Sequence, residues 1–401
     1  MTSLLIRNCR PLGVPLGAPL GGTATDMLVE NGRIVAIAPG LAAPAGVAVE
    51  EAGGLLALPA FVEGHTHLDK SLWGMGWWKN EVGPRLIDRI DGERAERKKL
   101  GLDPARQSDR LAQEFLKRGT TRIRSFADVD TEIGTAHCDA LVALRDRLRG
   151  TMDIQVVAFP QSGVLVRPGT AELLEQALRN GADIIGGLDP SGIDRDPKGH
   201  CDLIFAMAAR HGVPVDIHLH EPGELGAFAM DLIIERTVAL GMQGKVVVSH
   251  AFCLGEVTRA DALYAALGEA GIGLATTAPP SRPVPSVKKA RAAGVSIFAG
   301  NDGIRDTWTP YNMPDMLQRA MLIGLKNEFR RDDEVELAFA TVSDWAAEGC
   351  GFSDYGLAVG ARADIVLLEA ENVQEAVVAT PPKRTVISHG RVVARDGVLV
   401  A

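Results

Sequence analysis

The sequence predicts an α/β protein with a (β/α)8 TIM-type barrel and a small β-sandwich domain formed from both chain termini. Eight short apolar runs alternate with helical patterns through the middle of the chain, which is typical of repeated βα units around a parallel sheet. Short runs rich in Val, Ile and Leu, bounded by turn dipeptides, occur at both ends. No Gly-x-Gly-x-x-Gly turn follows an early run, so a barrel is favoured over a doubly wound open sheet.

The terminal runs are predicted to form hairpins. Asn31-Gly32 separates two apolar runs near the N-terminus, and His389-Gly390 and Asp396-Gly397 do the same near the C-terminus. Because chain ends commonly lie near each other, we expect one discontinuous domain. The predicted domains are residues 1–57 with 358–401 for the small β domain and 58–357 for the barrel.

The barrel strands are predicted from continuous apolar runs, since strands of a parallel sheet are buried on both faces. They are expected at 55–62, 121–126, 154–159, 182–187, 213–218, 245–250, 273–277 and 295–300. Helices are predicted between them, for example at 171–180, 201–211 and 286–293, each followed by a glycine near its C-cap.

Composition narrows the class of protein. With 401 residues, 46% of them hydrophobic, the chain can bury a large core. The net charge of −9 and the scattered Lys and Arg residues argue against nucleic acid, so we expect a small-molecule partner. The five cysteines are widely spaced, and no signal peptide or membrane span is evident. We therefore expect a cytoplasmic protein without a membrane partner; a homo-oligomeric state is left open.

His65-Thr66-His67 closes the first barrel run and points to a metal. Side chains alternate along a strand, so the two imidazoles project from one face and can reach one ion. The carboxyl end of a barrel strand is also where active sites of such barrels lie. Taken alone, the motif could equally be two structural histidines, and the other strand ends must decide.

Polar residues recur where the other apolar runs stop, and these strand ends converge at one mouth of a barrel. The residues are His65, His67, Asp128, Gln161, Asp189, His218, Glu221, His250 and Asp302. We predict one divalent ion, zinc or iron, because three imidazoles and one carboxylate suit a borderline-soft metal. The predicted ligands are His65, His67, His218 and Asp302.

Each assignment has an alternative. Asp302 lies in an Asn-Asp-Gly sequence typical of a plain turn, but it follows the eighth predicted strand. Glu221 is predicted to shuttle protons beside the metal, the alternative being a solvated loop glutamate. His250 is predicted to polarise the substrate or steady the attacking water, the alternative being a satisfied core histidine. His220 stays ambiguous.

The remaining histidines are assigned no role, and we expect them at the solvated surface. They are His137, His200, His211 and His389.

These motifs resemble the amidohydrolase superfamily, within it the cytosine deaminase-like branch, over nearly the whole chain. The segments that carry the resemblance are 59–70, 156–163, 216–221, 248–251, 300–302 with Trp308, and 360–368. It implies a mononuclear metal at His65, His67, His218 and Asp302, with Glu221, His250 and Asp302 catalytic. It also implies that Gln161 hydrogen-bonds the substrate's amide edge, for which a primary amide offers both a donor and an acceptor.

Two departures from cytosine deaminase bear on the substrate. Gly303 stands where that enzyme has a second aspartate, and Phe126 where it has a histidine. A lost carboxylate and a glycine favour a larger or differently substituted ring. The predicted substrate contacts are Gln161, Trp308, Phe126 and Gly303. Trp73, Trp77, Trp78 and Trp308 are candidate stacking walls, with plain packing as the alternative.

The predicted function is a metal-dependent hydrolytic deaminase of a nitrogen heterocycle, such as a cytosine-like pyrimidine, a pterin, creatinine or a related cyclic amidine. Water activated by the metal attacks the carbon that bears the amino group, Glu221 relays the proton, and ammonia leaves. The alternative is an amidohydrolase that cleaves a cyclic amide or an N-alkylamino substituent of a triazine-like ring. A non-catalytic metal- or ligand-binding barrel is a third hypothesis.

Overall fold

The computed structural model describes residues 3–12 and 24–400 and contains two sheets. The strands are β1 Ser3–Pro11, β2 Thr25–Glu30, β3 Arg33–Ala38, β4 Ala48–Glu51, β5 Leu56–Pro59, β6 Phe61–Thr66, β7 Thr120–Asp128, β8 Asp153–Phe159, β9 Ile184–Leu188, β10 Val215–Leu219, β11 Val246–His250, β12 Ile272–Thr276, β13 Ile297–Ala299, β14 Ile365–Leu368, β15 Arg384–Ser388, β16 Arg391–Arg395 and β17 Val398–Leu399.

The helices lie mainly between the strands of the second sheet. They are α1 Leu86–Leu100, α2 Pro104–Lys117, α3 Ala136–Arg147, α4 Thr170–Arg179, α5 Pro197–His211, α6 Gly223–Ala239, α7 Ala260–Glu269, α8 Val287–Ala292, α9 Met316–Lys326, α10 Asp332–Ala340, α11 Asp344–Cys350 and α12 Val373–Ala379, with a single 3₁₀ turn at Phe252–Gly255. Glycines follow α4, α5 and α8 as predicted, with positive φ at Gly181, Gly212 and Gly294.

Strands β6 to β13 form an eight-stranded parallel sheet in sequential order, which is the predicted barrel. Its first and last strands meet at a seam where the Asp302 N–H donates to the His65 carbonyl at 2.8 Å. Gly64 and Gly300 lie at this seam, and a Cβ atom on either would overlap the neighbouring strand. The predicted fold class is confirmed.

The second sheet is built from both ends of the chain, in the order β17-β16-β15-β14-β5-β1-β2-β3, with β4 paired to β1. Its hairpin turns are those predicted, because Asn31-Gly32, His389-Gly390 and Asp396-Gly397 all have positive φ at both positions. The predicted boundaries stay a prediction, and residues 1–2, 13–23 and 401 of the small domain lie outside the described residues.

One predicted strand is wrong in its extent. The run 55–62 is two strands: β5 pairs antiparallel with β14 in the terminal sheet, and β6 begins the barrel at Phe61. Pro59 has no N–H to continue a ladder. The next two amides then turn to different partners, Ala60 N–H to the Asp364 carbonyl and Phe61 N–H to the Gly119 carbonyl.

Among the described residues, no helix combines the length and the apolar character needed to cross a lipid bilayer. The five cysteines are all buried and none is paired in a disulfide.

Candidate metal centre and active site

Side chains from four separate strands meet at the carboxyl end of the barrel. Nitrogen or carboxylate oxygen atoms of His65, His218, His250 and Asp302 all lie within 4.8 Å of one another. His67 joins them through its Nε2 atom, 3.4 Å from Asp302 Oδ1, and His65 Nε2 lies 3.7 Å from the same oxygen. The structure thus brings together the four predicted ligands and also His250.

These histidines have buried nitrogen atoms without hydrogen-bond partners in the described part of the chain. They are His65 Nε2, His67 Nδ1, His218 Nδ1 and Nε2, and His250 Nε2. Buried polar atoms are normally paired, so five unpaired nitrogens on four neighbouring histidines need an explanation. Nitrogen atoms of neutral imidazoles beside a carboxylate are the donor set of Zn²⁺ or Fe²⁺ sites. The residues present therefore fit a divalent metal ion.

The pKa shifts at this cluster favour neutral imidazoles and an ionised carboxylate, which are the forms that bind a metal ion. Burial, and then the neighbouring imidazoles, hold the pKa of His218 and His250 well below their usual value. Burial and the nearby Lys70 lower the pKa of His67 to about 4. Burial alone would raise the pKa of Asp302, but the nearby imidazoles of His65 and His67 outweigh it and hold that pKa well below its usual value.

A chain of buried polar groups orients His65. Its Nδ1 atom lies 2.9 Å from Ser249 Oγ, which donates to Asp216 Oδ1 at 2.6 Å. Arg124 Nη1 donates to the other Asp216 oxygen at 3.0 Å. His65 Nε2 is thereby left to face the cluster. The sequence analysis missed Ser249 and Asp216, although Asp216 lies two residues before His218 and so on the same face of β10.

His220 and Glu221 follow the end of β10, two and three residues after His218. Glu221 Oε1 accepts hydrogen bonds from the Ser191 and Gly192 amides at 2.6 Å each, while its buried Oε2 has no partner among the described residues. Burial raises the pKa of Glu221, as suits a proton carrier. His220 bonds Asp189 Oδ2 through Nδ1 at 2.7 Å and stacks on His250, with ring centroids 4.3 Å apart.

Gln161 lies beside Lys70, a buried lysine that was not predicted to have a role. Lys70 Nζ donates to Gln161 Oε1 and, at 3.2 Å, to Asp128 Oδ1. An ammonium group only donates, so the amide oxygen must face it and the Nε2 hydrogens are what Gln161 can offer a ligand. This narrows the predicted role of Gln161 to that of a donor.

Trp308 is half-buried near the same lysine. Its indole N–H donates to Glu93, and Lys70 Nζ lies 5.4 Å from the ring centroid. Lys70 and Arg97 outweigh the effect of burial and lower the pKa of Glu93. Arg97 also reaches Asp128 at 2.6 Å. This ionic cluster could have been suspected from the i, i+4 spacing of Glu93 and Arg97 on α1.

The two departures from cytosine deaminase have different surroundings. Phe126 is fully buried, and its ring centroid lies 4.4 Å from that of His65 and 4.5 Å from that of His218, so it forms an apolar wall against the histidines. Gly303 follows Asp302, and the space beside its Cα is filled by the Asp306 carboxylate. Of the other predicted stacking residues, Trp77 is 74% exposed and Trp73 packs partly buried against the main core.

Two histidines predicted at the solvated surface are buried, and that prediction was wrong. His137 Nδ1 bonds Asp69 at 2.8 Å, and His200 Nδ1 bonds Asp194 at 2.7 Å. Both lie on the sheet-facing side of their helices, α3 and α5, where a buried imidazole needs a carboxylate partner. His211 and His389 are half-buried.

Comparison with known proteins places the chain in a family. The model of the amidohydrolase family matches residues 103–394. The chain is 30% identical over 363 residues to N-isopropylammelide isopropyl amidohydrolase of Pseudomonas sp. (strain ADP), covering 88% of this chain and 89% of that protein. It is similar to the crystal structure of N-isopropylammelide isopropylaminohydrolase from Burkholderia multivorans ATCC 17616, with 54% identity, a TM-score of 0.94 and complete coverage of both chains (100%).

The liganded 5-methylcytosine deaminase of Klebsiella pneumoniae is a more distant neighbour. It shares 26% identity and a TM-score of 0.83, with 98% of this chain and 97% of that chain covered. These relatives are hydrolases and deaminases of carbon–nitrogen bonds. The chain therefore belongs to the amidohydrolase family and is a hydrolase of carbon–nitrogen bonds other than peptide bonds.

Proposed function

We propose that the protein hydrolyses the bond between a ring carbon and an N-alkylamino substituent of a triazine-like heterocycle, releasing an alkylamine. It is the alternative function that was predicted from the sequence. The observation that carries it is the full-length similarity to N-isopropylammelide isopropylaminohydrolase. The buried cluster of His65, His67, His218 and Asp302 supports it, and we propose that these residues hold one zinc or iron ion.

A bound divalent ion supplies the Lewis acidity that makes a water molecule acidic near neutral pH. Glu221 is the proton carrier. Its Oε1 atom is fixed by two backbone amides, so the unpaired Oε2 can take a proton from the attacking water and deliver it to the departing amine. His250 and the Gln161 Nε2 group supply donors that can hold the ring's oxygen or nitrogen acceptors.

Deamination is the second candidate, because it is the same reaction with hydrogen in place of the alkyl group. The similarity to 5-methylcytosine deaminase favours it. Gly303 and Phe126 disfavour cytosine itself, since they replace two polar side chains of cytosine deaminase. The two candidates differ in the amine that leaves.

The test is to load the protein with zinc or iron and incubate it with N-isopropylammelide, ammelide, cytosine and 5-methylcytosine. We expect isopropylamine from N-isopropylammelide as the fastest reaction, with ammonia release from the other three compounds slower. Faster ammonia release from either pyrimidine would support the deaminase instead. No amine from any compound would contradict both.

Glu221→Gln is the diagnostic variant. Gln keeps an oxygen for the Ser191 and Gly192 amides but cannot carry the proton, so we expect kcat to fall by about 10²–10⁴-fold with the metal content unchanged. Glu224→Gln is the matched control, because Glu224 lies in the first turn of α6 with 66% of its side chain exposed. It should leave kcat unchanged. Equal activity of the two variants would contradict the role of Glu221.

A further inference from the structure

The residue after Asp302 is a glycine, and a neighbouring carboxylate occupies the space that a side chain would fill. Gly303 is buried, and a Cβ atom built on it would overlap Asp306 Oδ2. The Asp306 side chain folds back over the turn that begins at Asp302 and is 4% exposed. A carboxylate therefore fills the space beside Gly303, and it comes from the residue three positions further along the chain.

The two oxygens of Asp306 differ in their partners. Oδ1 accepts hydrogen bonds from the Trp308 and Thr309 amides at 2.8 Å each, and the Asp306 N–H donates to the Thr309 carbonyl at 3.0 Å. This is a closed aspartate turn, and it fixes the backbone that carries Trp308. Oδ2 has no hydrogen bond within the described residues, so the turn uses only one of the two oxygens.

No cation pairs with Asp306 in the described part of the chain. The cation that acts on it most strongly is Lys70, whose ammonium group is already bonded to Gln161 and Asp128 and lies 3.5 Å from Glu93. Burial raises the pKa of Asp306 to about 7, and Lys70 only partly opposes this. Asp306 Oδ2 is left as an acceptor to which a ligand can donate a hydrogen bond.

The location of Asp306 connects it to the proposed substrate site. The segment that carries Asp306 runs from Asp302, whose side chain is 38% exposed at the mouth of the barrel, to Trp308, which lies beside Lys70 near Gln161. Gln161 offers donors, whereas Asp306 Oδ2 offers an acceptor. A ring that fits both must present an acceptor at one edge and an N–H group at another.

Resting on the proposed function, we propose that Asp306 is a specificity-determining residue, and that its Oδ2 atom accepts a hydrogen bond from a ring N–H of the substrate. The substrate class is then an oxo-substituted triazine in its lactam form, with an N–H group on the side next to Asp302. The Asp306 carboxylate thereby does what a carboxylate side chain at position 303 would do.

The experiment compares Asp306→Asn, Asp306→Ala and the double variant Gly303→Asp/Asp306→Ala as metal-loaded enzymes on N-isopropylammelide. Asn keeps an oxygen for the Trp308 and Thr309 amides but turns a donor toward the ring, so we expect KM to rise about tenfold or more, with kcat and Tm near those of the wild type. Asp306→Ala should raise KM and also lower Tm. The double variant should bring KM most of the way back to the wild-type value, because its new carboxylate at position 303 enters the vacated space.

Asp261→Asn is the matched control, since Asp261 is an exposed helix residue and should change nothing. A ring-N-methylated N-isopropylammelide gives a second readout: the wild type should discriminate against it about tenfold, and Asp306→Asn should not. Unchanged KM and unchanged discrimination in Asp306→Asn would overturn the inference while the wild type still releases isopropylamine. Absence of isopropylamine from the wild type would overturn the proposed function, and the inference with it.

Discussion

Glu63 shows how a single buried residue can hold the proposed metal ligands in place. Its Oε1 atom accepts hydrogen bonds from the His65 amide at 2.9 Å and the Asn301 amide at 3.0 Å, and its Oε2 atom accepts from Asn301 Nδ2 at 2.7 Å. Glu63 thus joins the two strands whose ends carry His65 and Asp302. It lies two residues before His65 on β6, so its side chain is on the same face, one layer deeper in the barrel.

We predict that Glu63→Gln destabilises the protein by about 1–3 kcal/mol, because the new amide would oppose the Asn301 Nδ2 donor and leave a buried donor unpaired. Urea unfolding of the metal-free protein measures this, and competition with a chelator should show weaker metal binding. Glu81→Gln is the control, with a side chain 71% exposed. Equal stability of both variants would contradict the proposal that Glu63 holds the ends of the two strands together.

The roles of individual residues were only partly predictable from the sequence. The proposed ligands could be chosen from the sequence because they are three histidines and one aspartate at the predicted strand ends. Glu63, Ser249 and Asp216 could not, because a buried polar residue acts through a partner far away in the chain, such as the Asp216 carboxylate that bonds Arg124. The buried state of His137 and His200 was missed for the same reason, since Asp69 and Asp194 are not marked by any local pattern.

At the scale of elements, the contact of β6 with β13 closes the barrel and brings the proposed ligands His65 and Asp302 together. Gly300 lies against the backbone of His65, and its amide donates to the Thr276 carbonyl at 3.1 Å. We predict that Gly300→Ala separates the two strands, weakens the Asp302 N–H to His65 carbonyl bond, and costs about 1–3 kcal/mol of stability as overpacking does. The affinity of the site for the metal ion should fall together with the stability.

Gly76→Ala is the control for this prediction, because a Cβ atom at Gly76 would meet nothing within 4 Å. Thermal unfolding and metal titration of the two variants provide the comparison. If Gly300→Ala bound metal and unfolded like the wild type, the seam would not need the close approach that the glycine allows.

A second element-scale feature is the carboxylate that ties the loop after β8 to α5. Asp194 accepts hydrogen bonds from the Val164 amide at 2.9 Å, the Val166 amide at 3.2 Å and His200 Nδ1 at 2.7 Å. Burial would raise the pKa of Asp194, but these bonds, with that of His200 the strongest, outweigh it and lower the pKa below its usual 3.8.

We predict a pH dependence of stability from this group. A carboxylate with a lowered folded-state pKa contributes stability that is fully present above its unfolded pKa, near 3.8, and is lost as the pH falls below that value. Between pH 5 and pH 3, Tm should therefore fall less steeply in Asp194→Asn than in the wild type. Parallel curves would show that Asp194 contributes nothing to acid stability. Asp261→Asn, at an exposed position in the first turn of α7, is the comparison variant.

For the whole molecule, the sequence predicted the architecture more completely than the details of the site. Apolar runs and turn dipeptides indicate barrel strands and hairpins because their signal is local. The split of 55–62 between two sheets was missed, since both halves are equally apolar and only the missing N–H of Pro59 marks the break. Which relative's substrate the site accepts depends on side chains such as Asp306, whose position follows from a turn and not from a motif.

We predict that the metal ion acts as a cross-link between distant segments of the barrel. The proposed ligands come from the two ends of the barrel sheet and from its middle, so one ion ties together segments more than 200 residues apart. An ion that binds only the folded state stabilises it by RT ln(1 + [M]/Kd), about 4 kcal/mol at a thousandfold excess over Kd. Chelation should therefore lower Tm, and zinc or iron should restore it. His218→Ala should lose this response, while His211→Ala, a half-buried histidine at the end of α5, should keep it. Identical melting of chelated and metal-loaded wild-type protein would contradict a metal at this site.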